Sequence, residues 1–452
     1  MTRSKRPDLD NKPCVAVGER PTADDAGATA GPSEPTSAIT SPGPTGSAVK
    51  SAPRPIILTF AGSYLPGFKA GGPIRSLANM ADCLSDEFDF RIVAPDRDLG
   101  DATAYPGVQV NRWNTVGRAE VFYRSPGAAG WRALVADLQG TDYDLIYLNS
   151  FFSTDSSLRP LLYKWLGKLK KKPVLLAPRG EFSQGALALK PIKKSLFIGL
   201  VRALNVYRDI TFQASSEHEA TDIQRALGVS ADVRAGVHVA SDLASPRSDA
   251  GPLPRERDTP SLKAVFLSRI SPMKNLDGAI SVLSKLACPL QFDVYGPVED
   301  DGYWKRCSAL ISELPKHITV EYKGKVHPTD VQTILSGYDF FFLPTRGENY
   351  GHVIREALSA GLPVLISDQT PWKNLATVSA GADLPLAEPD AFTAWIEAFS
   401  RLSVADCQAM REGARRLGDD PVKAAHDLEA NRAMLLVALG RAGTADGPRE
   451  PG

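Results

Sequence analysis

Residues 344–361 read Pro-Thr-Arg-Gly-Glu-Asn-Tyr-Gly-His-Val-Ile-Arg-Glu-Ala-Leu-Ser-Ala-Gly. Two glutamates, Glu348 and Glu356, stand with seven residues between them, Gly351 among these. Glycine tolerates the left-handed backbone that a tight turn demands. A helix is predicted to start at His352 or Val353, which puts Glu356 in its first turn or so. The backbone N–H groups of Asn349 to His352 would then be helix-start donors without intrahelical partners, a ready site for an anion or an oxygen-rich ligand. An acid at each end of such a loop can accept hydrogen bonds from sugar hydroxyls. A lone glutamate here would only complement the helix dipole.

The flanks say what carries this loop. Phe340–Leu343 (FFFL) precedes it and Val364–Ile366 (VLI) follows it. Both are short apolar runs, as in strands buried on both faces. Further back come Ala264–Leu267, Phe292–Tyr295 and Ile318–Tyr322, with helical stretches between. An earlier series runs Ile56–Phe60, Phe90–Ala94, Leu145–Leu148, Val174–Ala177 and Ile210–Ala214. Strands alternating with helices imply parallel sheets. Two such series predict an α/β protein with two doubly wound, Rossmann-like domains facing a central cleft, and ligands at the carboxyl ends of their strands. The expected boundaries are a first domain at 55–230, an interdomain connection at 231–261 with one short strand near Val237–Val239, and a second domain at 262–420. A helix at 421–439 can cross back to the first domain. Residues 1–54 and 440–452 are poor in large apolar side chains and are expected to be disordered tails.

Two further loops carry chemistry. Arg269 and Lys274 follow the strand Ala264–Leu267, and a planar guanidinium with a point charge suits a diphosphate. Gly71-Gly72-Pro73 follows the first strand and opens a helix, where backbone can approach a ligand closely. GxGxxG is absent there, and so is a P-loop. That argues against an NAD-dependent oxidoreductase.

Composition bounds the rest. The 452 residues are 43% hydrophobic and 23% charged, with 52 basic and 52 acidic side chains. A globally basic nucleic-acid binder is disfavoured. No apolar run approaches the roughly 18 residues needed to span a bilayer, and the N-terminus has no secretory h-region. Cys14, Cys83, Cys288, Cys307 and Cys407 form no CxxC pair. That favours scattered reduced thiols in a cytoplasmic protein over a zinc site or a disulfide framework.

Taken together, the chain resembles a family 4 glycosyltransferase of the GT-B fold over about residues 54–439. That family's glutamate–seven residues–glutamate string matches Glu348 to Glu356 and continues through Ala357, Gly361, Pro363 and Val364. Its Arg-x-x-x-x-Lys motif matches Arg269 and Lys274, and its glycine-rich first loop matches Gly71-Gly72. The resemblance implies that Arg269 and Lys274 hold the donor diphosphate and stabilise the leaving nucleotide. Glu356 would bind the ribose and Glu348 the donor sugar. Asn349, Tyr350 and Gly351 would contact sugar and phosphate, and Lys325-Val326 would lie against the base. It also implies retention of anomeric configuration, no metal at the site, and no cofactor beyond the nucleotide-diphospho-sugar co-substrate.

The chain departs from the family at Asn349-Tyr350, where Gly-Phe is common, and at Asn275, where Gly is common. It also lacks a well-placed first-domain histidine. Arg179 and Glu181, after the strand Val174–Ala177, are candidates for the acceptor side.

Residues 164–208 hold eleven Lys or Arg and one acid, Glu181. Such a stretch can lie on an anionic membrane surface, though it is equally read as a solvated face over a core-facing stripe. The leading expectation is a hexosyltransferase acting on a glycan or lipid-linked acceptor in polysaccharide or cell-surface glycan assembly, cytoplasmic or peripheral at the inner face of the membrane. The alternatives are a nucleotide-sugar epimerase, which needs no acceptor, and a non-catalytic sugar-nucleotide binding protein.

Overall fold

A computed structural model describes residues 53–188, 191–204, 206–207, 209–228, 236–244 and 261–440. The tails expected at 1–54 and 440–452 fall outside the described residues, save Pro53, Arg54 and Gly440. So does most of the connection expected at 231–261.

The first sheet has eight strands. They are β1 (Ile56–Phe60), β2 (Asp89–Pro95), β3 (Trp113–Val116), β4 (Ala119–Arg124), β5 (Leu145–Asn149), β6 (Val174–Ala177), β7 (Ile210–Ala214) and β8 (Val237–Val239). Their order is β3-β4-β2-β1-β5-β6-β7-β8. All neighbours are parallel except β3 with β4, which pair antiparallel. The second sheet comprises β9 (Leu262–Leu267), β10 (Leu290–Tyr295), β11 (Ile318–Gly324), β12 (Phe340–Leu343), β13 (Val364–Ser367) and β14 (Gly381–Leu384). Its order is β11-β10-β9-β12-β13-β14, parallel throughout. The expected pair of doubly wound domains is therefore present.

Sequence periodicity missed β3, β4 and β14. β3 (WNTV) is an edge strand with no fully buried residue, so it carries no apolar run. β14 (GADL) is built from poor strand formers. Its Gly381 sits at φ 131°, and a Cβ there would meet the Val364 carbonyl oxygen at 1.9 Å. Backbone proximity, not side-chain pattern, selects that residue. β8 extends the first sheet into the stretch read as a connection.

The second domain has its own core. Phe340, Phe341 and Phe342 are fully buried in β12 among side chains drawn only from the second series of elements. Each such side chain contributes about 1.5–3 kcal/mol by area. The first sheet has a core on each face. The last helix, Pro421–Ala438, inserts Met434, Leu435 and Ala438 into one of them beside Ile57, Leu77 and Met80. The Asn431 amide donates to the Ser241 carbonyl at 2.7 Å, and Arg432 donates to Glu87 at 2.7 Å. The helix thus belongs to the first domain. Asp420 caps its start by accepting from Val422 N–H at 2.9 Å.

Strand order positions the site. β9 and β12 are neighbours with Ala264 opposite Phe340, and in the first sheet β1 neighbours β5. The chain winds outward in opposite senses from each pair. The loops after β9 and β12, and after β1, are the ones left to line a crevice.

Candidate active site in the interdomain cleft

A cleft of about 280 Å³ lies between the two sheets' carboxyl ends. It is lined from the second domain by Arg269, Lys274, Lys325, Val326, the loop Glu348–Gly351 and Glu356. Gly71, Gly72, Arg75 and Arg179 line it from the first.

The loop after β12 is pinned from several sides. Gly351 adopts φ 79° as the N-cap of the helix His352–Ser359. A Cβ there would approach Ile354 Cδ1 to 2.9 Å and Glu348 Cγ to 3.1 Å, so only glycine fits. The Trp372 indole N–H donates to the Tyr350 carbonyl at 2.8 Å. The Glu348 N–H donates to the Gln369 carbonyl at 2.9 Å. Tyr350 is buried, and burial pushes its phenol well above the ordinary value. Its ring packs 4.7 Å from that of His352.

Arg269, Lys274, Glu348 and Glu356 each have an identifiable partner. Lys274 ends a short 3₁₀ turn, Pro272–Lys274, and is only 8% exposed. Its ammonium pairs with Glu348. Arg269 donates to Glu299 at 2.8 Å on an open rim, where such a pair contributes little and yields readily to a ligand. Glu356 receives the guanidinium of Arg75 on Oε1. Its Oε2 is buried with no hydrogen-bond partner. Lys325 and Val326 stand at the rim, beside the edge-on contact of Phe68 with His327 at 5.8 Å.

Arg179 and Glu181 diverge. Arg179 lines the cleft but is wholly committed. It donates to Asn149 at 2.8 Å, to the Tyr147 hydroxyl at 2.9 Å, and to Asp242. Glu181 is not among the lining residues. Its carboxylate accepts from Ser150 Oγ at 2.6 Å and from the N–H groups of Phe151 and Phe152 at 2.6 and 3.0 Å. It clamps the loop after β5, so the geometry departs from the acceptor-side expectation for this residue.

Residues 254–416 match the family model of glycosyl transferases group 1. Over that stretch the chain resembles group 1 glycosyl transferases.

The fold is that of GT-B glycosyltransferases. HepE of Anabaena, solved in complex with UDP and glucose, covers 84% of this chain and 99% of its own. Its TM-score is 0.58 at 16% identity. Sucrose-phosphate synthase of Thermosynechococcus elongatus covers 84% and 99%, with a TM-score of 0.61 at 15% identity. Among curated proteins, O-antigen chain mannosyltransferase B of Escherichia coli is 26% identical over 113 residues, 24% of this chain and 29% of that protein. A UDP-N-acetylglucosamine–peptide N-acetylglucosaminyltransferase subunit of Streptococcus parasanguinis is 26% identical over 136 residues, 29% and 26% of the two chains. The matched stretches span less than a third of either curated relative.

The matched stretch supplies Arg269, Lys274, Glu348 and Glu356, all legible in its motifs. Sequence reasoning missed Arg75, Ser76, Asp242 and Trp372, and gave the His352 side chain no role. Ser76 Oγ donates to Asp242 Oδ2 at 2.6 Å and lies 2.9 Å from His352 Nε2. His352 Nε2 is 3.3 Å from Asp242 Oδ2. Burial alone would raise the Asp242 carboxyl. The Arg179 charge, with hydrogen bonds from His352 and Ser76, outweighs burial and holds it well below the carboxylate range. Arg75 and Ser76 follow Gly71-Gly72-Pro73 at helix start, a position that could have flagged them. Asp242 sits in a stretch with no periodic signal at all.

Proposed function

We propose that this protein is a retaining, metal-independent glycosyltransferase. It moves a sugar from a nucleotide-diphospho-sugar to a glycan or lipid-linked acceptor. One observation carries this reading: Arg269, Lys274 and Glu348 from two loops, and Glu356 from the helix that follows the second loop, converge at the switch point of the second sheet. In such a transfer the bond from the anomeric carbon to the phosphate oxygen breaks, and a bond to the acceptor hydroxyl forms. Negative charge builds on the leaving diphosphate. Fixed cations aimed at that charge can do what a divalent ion would do. Donor entry exchanges the Lys274–Glu348 pair for lysine on phosphate and glutamate on sugar hydroxyls. The orphaned Glu356 Oε2 suits a ribose hydroxyl.

Thermal denaturation beside UDP, GDP, ADP and their sugars tests this. A ligand binding only the folded state at a hundred times its Kd stabilises by about 2.7 kcal/mol. A rise in Tm is expected with one base series. No rise with any of them would sink the donor assignment.

A lipid-linked acceptor draws support from the helix Pro191–Ala203. Val201 faces the core. Ile192, Leu196 and Leu200, four residues apart, are 76%, 70% and 56% exposed, and Leu204 follows at 64%. Lys193 is exposed beside this stripe, whereas the Lys194 ammonium donates to the Ala186 carbonyl at 2.7 Å and sits over the Phe152 ring, and Lys190 lies outside the described residues. The helix Arg159–Trp165 covers the same face of the first sheet, since Leu161 and Tyr163 pack on the same cluster as Phe197 and Ile198. It ends on Trp165, 78% exposed. No described helix is long and apolar enough to cross a membrane. An apolar stripe with an exposed lysine beside it fits the surface of an anionic bilayer, where such a cation adds about 1 kcal/mol. The protein should co-sediment with vesicles rich in phosphatidylglycerol and less with phosphatidylcholine alone. Leu196→Glu with Leu200→Glu should abolish sedimentation without altering nucleotide binding. A stripe that instead drives self-association, seen by light scattering, would count against the membrane.

A further inference from the structure

Two helix starts face one another across the cleft. Gly72–Leu84 comes from the first domain and His352–Ser359 from the second. They approach so closely that a Cβ on Gly72 would lie 3.3 Å from His352 Cδ2. One ionic bridge at this junction does not belong to the family string: Arg75, in the first turn of one helix, holds Oε1 of Glu356 on the other. The second oxygen, Oε2, is buried and has no partner.

We propose that Arg75 is a positioning residue of the donor site, contributed by the opposite domain. It orients Glu356 so that Oε2 is presented to a hydroxyl of the donor's ribose. The grip on the nucleotide is therefore complete only when the cleft is closed. This rests on the reading of Glu356 as a ribose acceptor and extends it across the domain boundary.

The chemistry supports each part. A carboxylate paired through one oxygen is held in one rotamer. The other oxygen, on a side chain that lines the cleft, has an unmet demand for a donor, which a vicinal diol supplies. Burial lowers the Arg75 guanidinium from its ordinary value, so opening the pair inside a closed cleft without a replacement is unfavourable. The Ser76–His352 contact joins the same two helices, and Asp242, from the loop after β8, bonds to both residues and keeps the two first turns in register.

The test uses Arg75→Gln, Arg75→Lys and Glu356→Gln in the full-length protein, titrated calorimetrically with UDP, GDP and ADP. Arg75→Gln should weaken the diphosphate that binds wild type by about tenfold or more, with lysine recovering part of the loss. In turnover, the donor KM should rise more than kcat falls. In the Glu356→Gln background the Arg75 effect should largely disappear, because the two act as one unit. Small-angle scattering of the donor-free protein should show a larger radius of gyration for Arg75→Glu, restored when Glu356→Arg is added. Tighter nucleotide binding in Arg75→Gln would overturn the proposal, making Arg75 a competitor that the donor has to displace. Unchanged binding would overturn it as well. Wild-type protein that binds none of the three nucleotides would remove the donor site itself, and the scattering pair would still show whether the bridge closes the cleft.

Discussion

Lys274→Ala is expected to lower kcat by about 10²–10³-fold at saturating donor. The ammonium is almost fully buried and has Glu348 as its cleft partner. Removing it takes a fixed charge away from the leaving diphosphate. It also strands the Glu348 carboxylate beside an incoming anion, so repulsion is added to lost attraction. Because the side chain lines a cleft rather than filling a core, the melting temperature of the ligand-free variant should change little. Steady-state turnover with the donor found by the nucleotide panel is the measurement. Near wild-type turnover would mean that the cation pair is not where charge develops.

Arg179→Leu should act on the fold instead, destabilising it by about 3–5 kcal/mol in denaturant titrations, as expected when one partner of a buried ion pair is removed. Arg179 joins Asn149, Tyr147 and Asp242, and Tyr147 continues to Gln213. Its loss leaves the Asp242 carboxylate buried beside a histidine and a serine only. The pH dependence follows. In the wild type the Asp242 carboxyl is held below its unfolded value. Its stabilisation is therefore complete above that value, near pH 4, and is lost as pH falls toward the depressed one. In the variant burial is opposed far less, the carboxyl rises, and the cost of ionising it grows with pH. The gap in stability between wild type and variant should consequently narrow on acidification from about pH 7 toward 4. A gap that stayed constant would show that Arg179 stabilises by packing rather than by charge.

What the sequence made legible has a common physical basis. Lys274, Glu348 and Glu356 sit in short strings tied to the end of one strand and the start of one helix, so local chemistry marks them. The apolar runs of β9 and β12 are unbroken because both sheet faces are covered, and they stand out for that reason. The cleft's other half depends on proximity between distant segments. Arg75 meets Glu356 only because two domains dock. Asp242 matters only because Arg179, Ser76 and His352 arrive around it from three separate elements. β14 is chosen by a close backbone approach at Gly381. None of these leaves a period or a spacing in the chain. Glu181 shows the reverse case, an acid well placed in sequence whose hydrogen bonds are all taken by the neighbouring loop.

The return of the final helix makes the chain's topology that of a guest within a host. The host's core takes residues from both flanks, Ile57 at one end and Leu435 at the other. The guest's core takes none from outside its own stretch. The piece from Ser261 to Gly418 should therefore be excisable as an autonomous module. The host would need its two flanks rejoined by a short linker to regain its fold. Tethering the guest at two points also leaves it a restricted swing rather than a free one. A label placed after Leu439 would report on the host and stay still while the guest moves.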